Sequence, residues 1–587
     1  MDDHSTTQKQ KVLIMKKIFS EMQRPVQILL VLGILVFINI ISAYFYSNID
    51  LTEEKRFRLT SPTKKMLHKV PDVIYARVLL EGDFPAGFKR LQNSTKELLN
   101  QFRSENAYIS FGFENPNEGS IEEINKTREE LKKGGLLPIN LMIKSGTENK
   151  EQLIYPYAVF NYGERRIAVN LLENIPGYDQ ETNLNNSISQ LEYKFANAIQ
   201  KLLSNEKKNV VFVHGHGELI DEQTMSIQSV LNPFYNFGRI NLDSAGFIRK
   251  EIDGIIIARP QTPFSEKDKF KLDQYLMNGG KILWLVDGMA MSLDSMNNTA
   301  EFIPQPLDVN LSDILYKYGV RIEPNLVLDL ECSKIPQVIG QQGGKPQIEL
   351  FPWYYFPLVS PRSDHPIVRN LDRIMFEFPS SIDTIRTANA IQKTALLESS
   401  EYSRYQLSPM RVGFDILRYK PDPSKFDKKH LPLAYLLEGV FSSNYENRVE
   451  ESMLSGMKAI GQEFKSQSSP TKMIIASDGD LIKNLYDKET GKFAPLGYNK
   501  YEKTSYVGNK DFISNAIEYL TNDENIMAAR TKQIKLRLLD KVKIEEDKLF
   551  WQSLNIGLPL LVLILLGIIN FLYRKRKYAS FNSQTNP

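Results

Sequence analysis

The sequence predicts an α/β protein in which two transmembrane helices flank a large exported region. Two observations predict this architecture: an uncharged apolar run lies near each end of the chain, and short apolar segments alternate with helical patterns between these runs. The 587 residues are too many for one ordinary domain. We therefore expect a small α/β domain followed by a doubly wound parallel sheet, both between the two membrane helices.

Composition excludes several classes of protein. Hydrophobic residues make up 42% and charged residues 24% of the chain, as in a folded soluble protein, so a polytopic membrane protein is excluded. The net charge of +3 gives no electrostatic reason to expect nucleic acid as a partner. The single cysteine, Cys332, excludes internal disulfides and Cys-rich metal sites, and we interpret it as a packed or idle thiol.

The predicted membrane helices cover residues 26–46 and 552–573. At about 1.5 Å per residue, each run is long enough to cross a bilayer core of about 30 Å. A pair of buried core helices is the alternative for both runs, and uncharged runs of this length are uncommon in soluble cores. A cleavable signal peptide is the alternative for the first run, but its apolar core is too long.

The charges beside these runs predict the orientation. Basic residues precede the first run and follow the second, whereas acidic residues follow the first run and precede the second. By the positive-inside rule, residues 1–25 and 574–587 are cytoplasmic, and the region between the runs lies in a bacterial periplasm beyond the inner membrane. The basic residues are Lys9, Lys11, Lys16, Lys17 and Arg24 before the first run, and Arg574, Lys575, Arg576 and Lys577 after the second.

The first predicted exported domain covers residues 47–205. A strand at 72–80, a helix at 89–103 and a strand at 108–113 have the spacing of a βαβ unit. A strand at 139–143, a hairpin at 157–171 and an amphipathic helix at 185–203 follow. This order of elements is typical of a small α/β domain.

The second predicted exported domain covers residues 206–520. Continuously apolar runs at 209–213, 254–258, 281–286 and 472–476 are typical of strands that are buried on both faces of a parallel sheet. Between the second and third runs, Ser265 is placed to cap a helix by accepting a hydrogen bond from the Asp268 amide, and Gly279–Gly280 ends that helix. These elements predict the doubly wound sheet.

Two further segments stand apart from this pattern. Residues 335–460 are rich in proline and aromatic residues and predict a β-rich insertion, in which the run FPWYYFP at 351–357 is expected to form core rather than a ligand cage. Residues 521–551 are highly charged and predict a connector helix that leads back to the membrane, where it contacts either lipid head groups or solvent.

The candidate functional residues lie in loops that follow parallel strands, where ligands bind in such sheets. The types of side chain allow metal binding or acid–base chemistry, but glycine-rich turns of this composition are also ordinary connections, which is the interpretation we favour. The functional candidates are His214, His216 and Glu218 in the first loop, Asp287 in the second, and Asp478 and Asp480 in the third.

The chain has no recognisable nucleotide-binding or catalytic motif. The segment Gly340–Lys345 resembles a phosphate loop but is one residue short, and Pro346 replaces the hydroxyl residue that would bind magnesium. No Gly-x-Ser-x-Gly motif occurs. We therefore predict a protein that is not an enzyme, without a cofactor or a resident metal.

Taken together, several stretches resemble the GldG family, the gliding-motility-associated ABC transporter auxiliary proteins of Bacteroidetes. They occur in order through nearly the whole exported region, and both apolar runs lie where that family has them. The matching stretches are DLTEEKRFRLTSPTKKML (50–67), EGDFPAGFKRLQ (81–92), NNSISQLEYKFANAI (185–199), HGHGEL (214–219), PFSEKDKFKLDQYLMNGGKILWLVD (263–287), FPWYYFPL (351–358), LLEGVFSS (436–443) and SDGDLIKN (477–484).

The resemblance implies a glutamine-amidotransferase-like α/β fold and an inner-membrane subunit that works with a separate permease and a separate ATPase. It also implies contact with membrane lipid and two copies per complex. The first functional hypothesis is a non-enzymatic, membrane-anchored auxiliary subunit in gliding motility or associated secretion, whose periplasmic region binds a partner or a solute or transmits motion. The alternative is a membrane-tethered periplasmic hydrolase or amidotransferase-like enzyme that uses the loops at 214–218 and 477–480, which metal analysis of the purified protein would test.

Overall fold

A computed structural model describes most of the chain between residues 58 and 579. The described residues are 58–145, 148–173, 179–204, 206–296, 299, 301–459, 463–522, 526–531 and 547–579, with isolated positions at 30, 33, 34, 36 and 37. The chain divides into two compact units, residues 1–533 and residues 534–587, which are described separately below.

Within the described residues, α-helices and strands alternate through the first half of the chain, and strands dominate from 289 to 439. The helices are α1 (Ser61–Leu67), α2 (Ala86–Glu105), α3 (Ile121–Lys133), α4 (Gln180–Leu203), α5 (Met225–Leu231), α6 (Glu266–Met277), α7 (Ser312–Tyr318), α8 (Glu451–Ala459), α9 (Val507–Thr521) and α10 (Lys548–Ala579). The 3-10 helices are Asp221–Gln223, Leu293–Met296, Phe414–Arg418, Pro423–Lys425, Gly479–Ile482 and Ile526–Thr531.

The strands fall into two larger sheets and several short ribbons. They are β1 (Ile74–Val78), β2 (Ile109–Phe113), β3 (Ile139–Ser145), β4 (Glu148–Ile154), β5 (Tyr157–Tyr162), β6 (Arg165–Asn170), β7 (Lys208–His214), β8 (Tyr235–Asn241), β9 (Gly254–Ala258), β10 (Ile282–Leu285), β11 (Met289–Ala290), β12 (Glu301–Phe302), β13 (Gln305–Pro306), β14 (Val320–Ile322), β15 (Asn325–Asp329), β16 (Cys332–Gln342), β17 (Lys345–Val359), β18 (Ile374–Met375), β19 (Ile382–Thr384), β20 (Ile391–Glu398), β21 (Ser403–Leu407), β22 (Val412–Gly413), β23 (Pro432–Gly439), β24 (Thr471–Ala476), β25 (Tyr486–Asp487), β26 (Lys492–Phe493), β27 (Tyr498–Asn499) and β28 (Thr504–Ser505).

The first sheet has the strand order β2-β1-β5-β6. Strand β1 is parallel to β2 across α2 and antiparallel to β5, and β5 and β6 form the hairpin, so the predicted βαβ unit and hairpin are both present. Helices α2 and α4 meet at this sheet through edge-to-face aromatic packing. The Phe195 ring lies 4.9 Å from the Phe160 ring and 6.4 Å from the Phe102 ring. These buried rings hold the helices to the sheet.

The second sheet has the order β20-β23-β24-β10-β9-β7-β8. The five strands from β24 to β8 are parallel: β7, β9, β10 and β24 are the four predicted strands, and β8 is an edge strand that was not predicted. Strands β23 and β20 extend the sheet antiparallel at the other end. Separate apolar cores cover the two faces: α6 and α7 pack on one face, and α5 and α9 pack on the other. The chain moves from β7 to one side for β8 and returns to the other side for β9, which places a topological switch point between β7 and β9.

The aromatic run at 351–357 forms the core of the β-rich region, as predicted. Trp353 and Phe356 are buried and pack with Phe378, and the Phe356 and Phe378 rings lie 5.0 Å apart. Trp353 also lies against Phe414, with 5.5 Å between the ring centroids. The segment that resembled a phosphate loop is the turn between β16 and β17, where Gln342 pairs with Lys345.

Helix α10 contains the second predicted membrane span. Residues Lys548–Lys577 form one helix whose most apolar stretch of 18 residues has a mean hydropathy of 2.5 and is not covered by other described residues. By length and composition, it is the one helix among the described residues that is able to cross a membrane. The first predicted span, residues 26–46, lies outside the described residues except at five positions, so the two-helix topology stays a prediction.

The start of the predicted connector differs from expectation. Residues Ile526–Thr531 form a 3-10 helix rather than part of a charged helix over 521–551, because Ile526, Met527 and Ala529 are buried in the core of the first sheet and its helices. The following residues, 532–546, lie outside the described residues. Residues 526–529 are therefore fixed to the first sheet and its helices by apolar packing.

Arg530 connects residues 526–531 to helices of both sheets. Its guanidinium lies over the Tyr193 ring of α4, 5.0 Å from the centroid, and donates hydrogen bonds to Asn515 Oδ1 of α9 at 3.2 Å and to the Arg369 carbonyl at 3.0 Å. Close by, the Tyr193 hydroxyl donates to Glu518 Oε1 at 3.1 Å, and Lys201 Nζ lies 3.2 Å from Glu518 Oε2. These contacts join α4 of the first sheet to α9 of the second.

Replacing Arg530 should loosen this junction. Arg530→Met keeps an apolar stem over Tyr193 but removes two hydrogen bonds from a charged, buried donor, so the free energy of unfolding should fall by about 2 kcal/mol. Hydrogen exchange in residues 526–531 and in α4 should rise with it, measured by mass spectrometry. Arg411→Met, at a side chain that is 69% exposed, is the matched control and should change neither quantity. Equal stability of the two variants would contradict the assignment.

Candidate functional site

The carboxyl ends of the parallel strands bring together side chains from four parts of the chain. Asp287 follows β10, Asp478 and Asp480 follow β24, and Arg259 follows β9. Glu377, from the β-rich region, joins them beside Asp478. Three of the six sequence-predicted residues thus lie in one cluster, which we call the acidic cleft: Asp287, Glu377, Asp478 and Asp480 with Arg259 and Lys483.

Asp478 holds the backbone around the acidic cleft in place through hydrogen bonds. Its side chain is fully buried, and its two oxygens accept separate backbone hydrogen bonds at 2.7 Å each, Oδ1 from the Asp480 amide and Oδ2 from the Glu377 amide. Asp287 Oδ1 accepts a third, from the Gly479 amide at 2.7 Å. The carboxylates therefore fix the loop after β24 against the loop after β10 and against the β-rich region.

Two cations partly balance the carboxylates. Lys483 Nζ lies 2.9 Å from Asp480 Oδ1, and Arg259 Nε lies 3.4 Å from Asp480 Oδ2 and 3.9 Å from Asp287 Oδ2. The acidic cleft therefore holds four carboxyl groups and two permanent cations. This imbalance favours uptake of protons by some of the carboxyl groups.

Burial and mutual repulsion raise the pKa values of three of these acids. Burial, followed by repulsion from Asp480, raises the pKa of Asp287 to about 7 and that of Glu377 to about 7. Burial, followed by repulsion from Asp287 and Asp480, raises the pKa of Asp478 well above its usual range. Burial lowers the pKa of Lys483, but the carboxylates of Asp480 and Glu377 outweigh it and raise that pKa overall. The group is able to exchange protons near neutral pH.

The backbone around the acidic cleft is tightly packed. Arg259 has a left-handed backbone with φ of 58°, which is unusual for a residue with a side chain. A Cβ at Gly479 would lie 2.6 Å from both the Cα and the Cβ of Arg259, so only glycine permits the loop after β24 to approach the loop after β9 this closely. The positions of the charged side chains are thus fixed by the close approach of the two backbones.

The acidic cleft opens into a cavity of about 350 Å³. Its walls combine Arg259, Glu377, Asp480 and Lys483 with polar and aromatic side chains from residues 498–501. A cavity of this size holds a small polar molecule. Carboxyl groups that are protonated near neutral pH can donate hydrogen bonds to such a molecule, and the ionised ones can accept them.

His216 lies in a second, separate cluster. Its Nδ1 is 3.2 Å from Glu218 Oε1 and its Nε2 is 3.4 Å from Asp268 Oδ2, while its ring stacks on Phe264 at a centroid distance of 3.8 Å. Burial lowers the pKa of His216, but the hydrogen bonds and charges of the two carboxylates outweigh it and raise that pKa overall. Both ring nitrogens have a partner within the protein, as expected for a structural histidine.

The rest of the predicted loop also has contacts within the fold. The His216 carbonyl accepts hydrogen bonds from the amides of Gln261 at 2.7 Å and Thr262 at 2.9 Å, which joins the loops after β7 and β9. His214 is the last residue of β7 and pairs in register with Asn241 of β8. The Ser265 hydroxyl caps α6 by accepting from the Asp268 amide at 3.2 Å, as predicted.

Within the described part of the chain, no group of three or more histidine, cysteine, aspartate or glutamate side chains has the arrangement of a metal site. Burial, with repulsion from nearby carboxylates, raises the pKa of the Cys332 thiol to about 12. A thiol with such a pKa is a weak nucleophile at neutral pH.

Sequence reasoning missed Arg259, Glu377 and Lys483. Arg259 directly follows the apolar run 254–258. It could have been selected for the same reason as Asp287, because ligands bind at the carboxyl ends of parallel strands. Lys483 lies three residues after Asp480, directly after the 3-10 helix Gly479–Ile482. Glu377 gave no signal, because it comes from the β-rich region, whose contacts with the sheet are long-range.

Comparisons with known proteins show which sequences this chain is similar to. A family model described as "ABC-type uncharacterized transport system" matches residues 207–516, just over half of the chain, and a domain of unknown function (DUF7088) matches residues 53–161. An "Uncharacterized protein" of Borreliella burgdorferi is 23% identical over 465 residues, covering 78% of this chain and 85% of that protein. A solved structure, "mmIFT52 N-terminal domain", is 12% identical with a TM-score of 0.30, covering 54% of this chain and 99% of that one.

Proposed function

The chain belongs to the family of ABC-type uncharacterized transport system auxiliary proteins, and from this premise we propose that it is a non-enzymatic, membrane-anchored subunit of an ABC transporter complex. The auxiliary role in a transport system follows from the family. The anchoring, the periplasmic location, the partner subunits and a part in gliding motility or associated secretion are our proposal.

The observation that carries the proposal is helix α10. It follows the family-matched region, is apolar over a length that suits a bilayer, and carries the basic residues Arg574–Lys577 near its C-terminal end. With residues 26–46 as a second anchor, both termini would be cytoplasmic and residues 47–551 periplasmic. Two helices are too few to form a transport path, so a separate permease would supply it, and a separate ATPase would supply the energy.

The folded region supports a role in transmission or in binding. Residues 526–531, which lead towards α10, pack into the first core, and Arg530 joins them to α9 of the second sheet. A displacement that reached residues 526–531 would therefore be felt by both sheets. The acidic cleft provides the place where a small polar solute would bind.

Co-purification tests this function. Full-length protein with an affinity tag, extracted from membranes of its source bacterium in mild detergent, should recover a permease subunit and an ATPase subunit. A matched variant that ends at residue 547 lacks α10 and should lose most of both, because its contact with the permease would be lost. The proposal is wrong if the full-length protein recovers neither subunit, or if it fractionates away from membranes. A gliding or secretion defect in a deletion strain would test the finer role.

A further inference from the structure

The cavity at the acidic cleft contains a carboxyl group that the fold leaves without a partner. Glu377 lies in the wall of this cavity. Its amide donates to Asp478, but no hydrogen bond or ion pair holds its carboxyl group within the described part of the chain. Burial is the largest cause of its raised pKa, so the group is largely removed from solvent. A buried polar group without a partner is unfavourable, and a bound ligand would supply the missing partner.

The charges around the cavity favour a cationic ligand. Both cations of the acidic cleft already have a carboxylate partner, since Lys483 Nζ lies 2.9 Å from Asp480 Oδ1 and Arg259 Nε lies 3.4 Å from Asp480 Oδ2. In the rest of the cavity wall, Asp294 and Lys500 are both exposed and contribute one charge of each sign. When the four carboxyl groups of the cleft ionise, they outnumber its two cations, so the cavity attracts a cation and repels an anion.

The remaining wall suits an organic cation. The rings of Tyr498 and Tyr501 line the cavity, and a cation is attracted to the face of an aromatic ring. Phe356 adds an apolar surface for a short hydrocarbon stem. A metal ion suits the site less well, because the ammonium group of Lys483 beside Asp480 would repel it.

We propose that the acidic cleft binds a small organic amine in its ammonium form, and that Glu377 accepts a hydrogen bond from the ammonium group. An ammonium group has three donors and carries the charge that the cleft lacks. The cavity of about 350 Å³ has room for such a molecule. The inference rests on the proposed function in taking this cavity as the solute site, and it names the chemical class of the solute.

Binding of an ammonium ion should release a proton. In the free protein the pKa of Glu377 is about 7, so the group is largely protonated below that pH, whereas the ammonium ion binds the ionised form. The affinity should therefore rise between about pH 6 and pH 8. The charged groups that act on Glu377 or share its cavity are Arg259, Asp287, Asp294, Asp478, Asp480, Lys483 and Lys500.

Calorimetric titration with four-carbon probes tests the charge of the ligand. The probes are 1,4-diaminobutane, 4-aminobutanoate, butanedioate and 1,4-butanediol, which share a chain length and differ in charge. With full-length protein in detergent at pH 8, the diamine should bind, and the dianion and the neutral diol should bind at least tenfold more weakly. At pH 7 the binding heat of the diamine should differ between phosphate and MOPS buffers, because the released proton ionises or neutralises the buffer.

Two variants test the role of Glu377. Glu377→Gln keeps the shape of the side chain but not its charge, so it should weaken binding of the diamine at least tenfold without lowering the melting temperature. It should also remove most of the difference in heat between the two buffers. Glu401→Gln, at a side chain in the same β-rich region that is 48% exposed, is the matched control and should change none of these quantities.

The other outcomes overturn the inference or separate it from the proposed function. Tighter binding of any other probe, no binding of the diamine at millimolar concentrations, or diamine binding that Glu377→Gln leaves intact overturns it. Mg²⁺ that binds more tightly than the diamine and requires Glu377 would overturn it in favour of a metal site. Diamine binding by a protein that recovers no permease or ATPase would leave the inference standing and the transporter role wrong. Recovery of both subunits without diamine binding would give the reverse result.

Discussion

The full-length protein in detergent is expected to be more stable at pH 5 than at pH 8, by about 2–4 kcal/mol. Asp287 and Glu377 each have a pKa of about 7 in the folded protein, raised by burial and by repulsion from Asp480. In the unfolded chain such groups titrate near pH 4. The folded protein therefore binds more protons between about pH 4 and pH 7, and its stability falls as the pH rises through that window.

Neutral variants isolate this effect. Asp287→Asn with Glu377→Gln removes both titrations and keeps Oδ1 of residue 287 as an acceptor for the Gly479 amide. At pH 8 this double variant should be more stable than the native protein, and its stability should vary less with pH. Some slope will remain, because the raised pKa values of His216 and Asp478 also give stability that is lost as the pH rises. His365 acts in the opposite direction, because burial lowers its pKa to about 4 and its stability contribution is lost as the pH falls.

Denaturant unfolding at pH 5, 6, 7 and 8 measures these differences. Asp427→Asn is the matched control, since its side chain is 63% exposed and its removal should leave the pH dependence unchanged. If the double variant kept the full native slope, the acidic cleft would not be the source of the pH dependence. A double variant with the same stability as the native protein at pH 8 would contradict the raised pKa values of Asp287 and Glu377.

Four of the five parallel strands of the second sheet could be predicted because they are short and continuously apolar, whereas the edge strand β8 mixes polar and apolar residues and was missed. Strands β20 and β23 could not be assigned in this way. Strand β23 is buried at Ala434 and Leu436, but an irregular, polar stretch follows it directly. It is joined to the parallel strands by antiparallel pairing with β24. Such antiparallel additions depend on long-range register, which local patterns do not encode.

The candidate site could be predicted only where its residues directly follow a predicted parallel strand. Asp287, Asp478 and Asp480 follow parallel strands and do meet, whereas His216 lies apart because Asp268 of α6 and Glu218 hold its ring. Glu377 enters from a region with no parallel-strand pattern. The sequence also gives no sign of how close the loops after β9 and β24 come, and this approach has a strong consequence for Gly479.

Gly479→Ala is expected to lower the free energy of unfolding by about 3 kcal/mol or more. The added methyl group would lie 2.6 Å from the Arg259 Cα, inside the distance at which non-bonded atoms repel. Because the clash is with the backbone, rotation of a side chain cannot relieve it, and the two loops must separate. Separation weakens the hydrogen bond from the Gly479 amide to Asp287 and opens the acidic cleft.

Two further variants decide whether this clash is the cause. Gly238→Ala, where the added Cβ meets Val211 at an ordinary 3.6 Å, is the matched control and should change stability little. Arg259→Gly removes the Cβ and Cγ that lie 2.6 and 2.8 Å from the added methyl, and it relieves the left-handed backbone at that position. Combined with Gly479→Ala, it should therefore recover part of the lost stability, although the methyl group would still press on the backbone of residue 259. Additive effects in this double-mutant cycle would mean that the two loops do not touch as the structure has them.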